Sequence, residues 1–125
     1  FDSAIELAPQ DPEILNGRCW ACVLWGRELE AALRDCNESL RIRPRDANTL
    51  NSRAAVHFLL RDFQNAALDY DASFGLQPRM AGSLYGRGAA RLRMGQTSTG
   101  EGDLSEAASL DATVAARYAA FGVRP

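Results

Sequence analysis

An arginine returns at a fixed interval along this chain and carries its neighbours with it. Leu15-Asn16-Gly17-Arg18-Cys19, Leu50-Asn51-Ser52-Arg53-Ala54 and Leu84-Tyr85-Gly86-Arg87-Gly88 share one pattern: Leu, a polar or aromatic residue, Gly or Ser, Arg, then a small residue. The arginines are 35 and 34 residues apart. Pro9, Pro44 and Pro78 keep the same spacing, and Asp35, Asp69 and Asp103 follow at intervals of 34. A fixed period of this length marks stacked supersecondary units, each of which buries its apolar face only against its neighbours. The Arg-to-Asp gap is 17 residues in the first unit and 16 in the others. The extra residue therefore belongs between Arg18 and Asp35, near the turn at Trp25-Gly26-Arg27-Glu28, where an insertion costs least.

Helical spacing fills in each unit. Leu15, Cys19 and Cys22 share one face, as do Leu50, Ala54 and His57. Helices are predicted over about 12–25 and 29–43, 47–60 and 62–76, and 80–94 and 98–110, with boundaries good to ~2–4 residues. Asp11 before Pro12 reads as a helix start, Asp46 and Asp62 stand where N-caps belong, and Ser98 with Glu101 has the spacing of a capping box. Residues 1–11 read as the last helix of a truncated unit. Units follow at 12–45, 46–79 and 80–112. Residues 113–125, with a stripe of Val114, Tyr118 and Phe121, read as a capping helix that covers the last apolar face. Gly100 and Gly102 weaken the sixth helix, which is expected to fray. Gly100 stands where Ala32 and Ala66 stand elsewhere, a place where a small residue lets two helices approach.

These columns resemble the tetratricopeptide repeat, a helix–turn–helix of 34 residues. The second unit matches best, through Leu50, Ala54, Phe63, Ala66, Tyr70 and Pro78. The third supplies Leu84, Gly88, Gly95 and Leu104, with Ala112 in place of Pro. The first supplies Leu15, Cys19, Gly26, Ala32, Cys36 and Pro44. The chain departs from the family in placing Arg where Leu is usual and Cys or Leu where aromatics are usual. It is similar to a bacterial-type variant, and 14 basic residues that are all Arg suit a genome rich in G and C. The resemblance implies an all-α fold, a right-handed superhelix of about seven to eight helices. It also implies that the first helices of successive units line a concave surface that contacts a peptide.

The recurring ions have two readings, a row of ligand-binding arginines or a structural ladder. Arg18 with Asp35, Arg53 with Asp69 and Arg87 with Asp103 lie in the packing register, so burial of the guanidinium would require a paired carboxylate. Recurrence of both partners favours the ladder. Cys19, Cys22 and Cys36 fall in columns held elsewhere by Ala54, His57 and Tyr70. The C-x-x-C spacing lies mid-helix with no turn residue, and a structural zinc would want four ligands. The expectation is therefore three free core thiols, no metal and no cofactor, with a reducing compartment as the default. His57 reads as a packed histidine.

The surface columns are Asn16, Trp20 and Val23, then Asn51 and Phe58, then Tyr85, Leu92 and Arg93. Asn can hold a peptide backbone through donor and acceptor, and the aromatics supply anchor area. The rival reading is that other parts of the parent protein cover this face. Arg41, Arg43 and Arg45 lack interleaved aromatics and read as a solvated helix end. A formal net charge of −2 gives no reason to expect nucleic acid, and no apolar run reaches the ~18 residues of a membrane span. No triad, phosphate loop or acid/base pair can be assembled, so no enzyme is expected. The reading is a scaffold or adaptor that binds a protein or peptide partner, with self-association left open. The alternative is a regulatory or dimerisation accessory domain of a larger bacterial enzyme. The compartment reads as cytoplasmic by default, or periplasmic if a signal peptide precedes Phe1.

Overall fold

The computed structural model describes residues 11–125; the helix expected before residue 11 lies outside them. Seven helices follow in order: α1 (Pro12–Trp25), α2 (Leu29–Ile42), α3 (Ala47–Leu59), α4 (Phe63–Leu76), α5 (Ala81–Arg93), α6 (Thr97–Leu110) and α7 (Val114–Ala120). They pack in sequential antiparallel pairs: α1 with α2, α3 with α4, and α5 with α6. The first helices of the pairs also pack side by side, α1 on α3 and α3 on α5. α7 lies against α5 and α6.

Local chemistry sets the starts. The Asp11 carboxylate accepts from the Glu13 amide, Asp46 from Asn48 and Thr49, and Asp62 from Asn65, so each satisfies amide donors that the first helical turn leaves unpaired. The capping box expected from Ser98 and Glu101 does not form. α6 begins one residue earlier, at Thr97, and its N-cap Gln96 makes no side-chain cap bond. The turn residue eight positions after each arginine takes positive φ: Gly26, Arg61 and Gly95. The first turn carries its extra residue after this point and adds a second positive φ at Glu28.

Close approaches set the packing. Leu15, Cys19, Leu50, Ala54 and Leu84 are buried, and every residue from Ala81 to Gly86 is buried in the most enclosed helix, α5. Two glycines let Tyr70 and α6 reach α5. A Cβ on Gly86 would stand 2.3 Å from the ring of Tyr70, which is itself fully buried. A Cβ on Gly88 would stand 2.8 Å from the Gly100 carbonyl, so the small residues at 88 and 100 are what bring α5 and α6 together. The second helix of a pair is also tied back to the start of the first. Ser39 Oγ donates to the Pro12 carbonyl and Ser73 Oγ to the Ala47 carbonyl, each at 2.8 Å.

Gly86→Ala is expected to destabilise by about 3 kcal/mol, because the enclosed Tyr70 ring cannot swing away. Gly75, helical with open space around it, should instead gain up to ~1 kcal/mol on substitution by Ala. Urea unfolding of the two variants gives both signs.

Candidate functional site

Three buried carboxylates hold the pairs closed. The Arg18 guanidinium grips Asp35 with Nε and Nη2 at 2.5 and 2.7 Å. Arg53 grips Asp69 in the same way at 2.7 and 2.9 Å, and Arg87 grips Asp103 at 3.0 and 2.9 Å. The fork geometry of guanidinium on carboxylate is the strong, directional form of this contact. The third nitrogen turns outward to the preceding pair: Arg53 Nη1 donates to Asn37 at 3.1 Å and Arg87 Nη1 to Asp71 at 2.6 Å. The contacts follow the ladder reading, inside each hairpin and across to the last. Burial is less even than expected. The carboxylates are enclosed, whereas the Arg18 and Arg53 side chains keep about a quarter of their surface exposed.

Each carboxylate has a second neighbour one turn beyond its arginine, and its identity varies. Arg91 donates to Asp103 at 2.8 Å, and His57 Nε2 lies 3.7 Å from Asp69. In the first pair the position holds Cys22, whose thiol is pushed up by burial and then by the charge of Asp35. Burial pushes the His57 imidazole below its ordinary range, outweighing the opposing pull of Asp69 and Asp62.

The cysteines correct the expectation of three free thiols. Cys19 and Cys36 are joined by a disulfide between α1 and α2, with Cα atoms 5.8 Å apart, and Cys22 alone is free. The two bonded residues are the direct neighbours of Arg18 and Asp35, so the grip that closes the hairpin also brings their side chains together. Both are fully buried. The bond removes the ground on which a reducing compartment was the default. Among the described residues no cluster of His, Cys, Asp or Glu could hold a metal ion.

The face built by α1, α3 and α5 receives the end of the chain itself. Tyr118 of α7 lies flat on α5, where a Cβ at Gly82 would fall 1.9 Å from its hydroxyl. Asn51 Nδ2 donates to that hydroxyl at 3.1 Å and to Ser83 Oγ at 3.0 Å. Ser83 Oγ is 2.7 Å from Ser73 Oγ, which is anchored on the Ala47 carbonyl. This buried relay therefore runs from α7 through α3, α5 and α4 and back to α3. Tyr118 also meets Tyr85 edge-on at 5.7 Å, and Phe121 meets Trp20 edge-on at 5.0 Å. Val123 is fully buried, Gly122 sits over Leu59, and Arg93 Nε donates to the Arg124 carbonyl at 3.2 Å. At the entry to α7, the Asp111 carboxyl is drawn down to about 2 by the Thr113 hydroxyl and amide and then by Arg117.

The expected surface columns divide accordingly. Asn51 and Tyr85 are buried beneath Tyr118, and Arg93 stacks over Phe58 and Phe63 at 5.3 and 5.2 Å while holding the tail. Phe58 is nearly buried and packs edge-on against Phe63. Val23 is wholly buried and Leu92 packs toward Gly100 of α6, so neither offers surface to a ligand. Asn16 and Trp20 line a cleft of about 410 Å³, together with Asn48, Ser52 and the tail residues Arg117, Tyr118 and Phe121. Asn16 Oδ1 is buried without a hydrogen-bond partner. The arginines around Pro44 are partly neutralised: Arg41 donates to Glu38, and Arg43 lies 3.9 Å from both Glu13 and Asp46. In comparisons with known proteins, no family model matches this chain and no curated sequence matches it.

Asp69→Ala should destabilise by about 3 kcal/mol, the lower end of the ~3–5 kcal/mol for breaking a buried pair, because Arg53 keeps Asn37 and some solvent. Asp71→Ala, which removes an exposed partner, should cost less than ~1 kcal/mol. Urea titration at neutral pH separates them. His57 is held neutral in the folded chain, so the unfolded chain binds the proton more readily. Stability is therefore fullest above the ordinary pKa near 6.5 and falls as pH drops through and below it. Melting curves between pH 7.5 and 5.5 should show this slope, reduced in His57→Gln.

Proposed function

We propose that this chain is a tandem array of tetratricopeptide-type hairpins, a right-handed superhelix that binds a peptide segment of another protein on its concave face. The three pairs are its repeats, and α7 with the following residues is its cap. The sequence period, the three equivalent Arg/Asp grips and the side-by-side packing of α1, α3 and α5 support this reading.

The observation that carries it is the cleft at Asn16 and Trp20. It combines an aromatic wall, Trp20 and Phe121, with amide and hydroxyl groups from Asn16, Asn48 and Ser52. The unsatisfied Asn16 Oδ1 is an acceptor suited to a peptide N–H, since a buried acceptor left without a donor is costly. The partner surface is thus the first-helix side of the array, at the end nearer α1.

Selection of peptides from a displayed random library against the whole chain tests the proposal. Selected peptides should bind the Trp20→Ala and Asn16→Ala proteins at least about ten-fold more weakly, as loss of an aromatic anchor implies. Circular dichroism should show both variants folded. Failure to select any peptide, or selection of peptides indifferent to both substitutions, would contradict it.

A further inference from the structure

The tail seated on α1, α3 and α5 is also a description of what that face binds. Building on the reading of the chain as a peptide-binding array, we propose that residues 114–125 are an exchangeable ligand held in cis. The partner that displaces them would be a short helix carrying Tyr, an aromatic three residues later, and then Gly and an aliphatic residue. The template is Tyr118, Phe121, Gly122 and Val123.

Three features support exchange rather than a permanent cap. First, α7 has seven residues, too few to be helical alone in water, so its order depends on being docked. A tail that leaves its seat loses its helix and presents no rigid obstacle to a newcomer. Its hold on the body passes through few side chains, because Ala115, Ala116 and Ala120 are exposed.

Second, the seat is organised without the tail. The Asn51 amide is aimed by Ser83, which is fixed in turn by Ser73 on the Ala47 carbonyl. The place for the phenol ring is the missing side chain of Gly82. Both persist whether or not Tyr118 is present. An incoming tyrosine would therefore find an oriented donor and a flat floor, the preorganisation that keeps the cost of binding low.

Third, the cleft adjoins the seat. Trp20 contacts the tail through Phe121 and also lines the cleft, so a segment entering beside Asn16 meets the tail at its second aromatic. The cis tail has the advantage of a high effective concentration, set by the short connection from α6. A partner overcomes it by adding contacts in the cleft that the tail does not make.

A fluorescein-labelled peptide of residues 111–125 is the probe, read by anisotropy against the full chain. Tyr118→Ala in the chain weakens the cis tail, so this protein should bind the probe about ten-fold or more tightly than the wild type does. The same substitution in the probe should abolish that gain. A second measurement uses the wild type, whatever the fold of the variant. In ¹⁵N-labelled chain, excess unlabelled peptide should move the amide signals of residues 114–121 toward random-coil positions. Equal affinity for the two proteins, or tail signals unmoved at saturating peptide, would overturn the inference. Library peptides that bind through Trp20 and Asn16 beside an unmoved tail would sink the exchange and leave the binding function standing.

Discussion

A carboxylate enclosed between two helices must be neutralised, and this requirement shapes the molecule three times over. Asp35, Asp69 and Asp103 are each shut inside a helical pair and met by a guanidinium fork from the opposite helix. A lone ammonium would balance the charge but leave the orientation free; the planar fork fixes both distance and angle. The same guanidinium then reaches the preceding pair, through Asn37 and Asp71, so the closure of one pair and the placement of the next share a residue. The variation lies one turn further on. There Cys22, His57 and Arg91 give the three carboxylates different surroundings while the fork stays the same.

The far side of the first helices solves another problem. Once α1, α3 and α5 are aligned, their outward residues form an apolar face interrupted by polar groups. The chain covers part of it with its own end. The hydroxyl and amide groups there do not stand alone but form a chain from Tyr118 to the Ala47 carbonyl. A buried polar network with every member satisfied specifies one arrangement where an apolar surface would tolerate several. The glycine at 82 adds a steric condition, since any larger residue would push the phenol out. A face that selects a tyrosine so closely can discriminate among partners by the same means.

Much of this was legible in the periodic columns. The six paired helices, the caps at Asp11, Asp46 and Asp62, the location of the extra residue in the first turn and the Arg/Asp partners all follow from equivalent letters occupying equivalent places. The disulfide was harder to see because Cys19 invites comparison with Cys22 on its own helix. The informative comparison was with Cys36, since the pair flanks Arg18 and Asp35 at the same 17-residue separation. The tail was least legible. Val114, Tyr118 and Phe121 show an amphipathic helix, but Tyr118 meets Asn51 across 67 residues and outside the period. No spacing rule links them. The glycine at 82 was the available signal, and a glycine in a helix has several readings until a ring is found lying on it. Val23 and Leu92 were assigned to the surface by helical spacing alone, which ignores how far α2 and α6 wrap around their partners.

The account stands or falls on the tail occupying the face of the first helices. Nuclear Overhauser contacts in the full-length chain measure this most directly. The account predicts cross-peaks between the Trp20 indole and the Phe121 ring, and between the Tyr85 and Tyr118 rings, with helical shifts for residues 114–120. Absence of these contacts, with random-coil shifts throughout the tail, would contradict it.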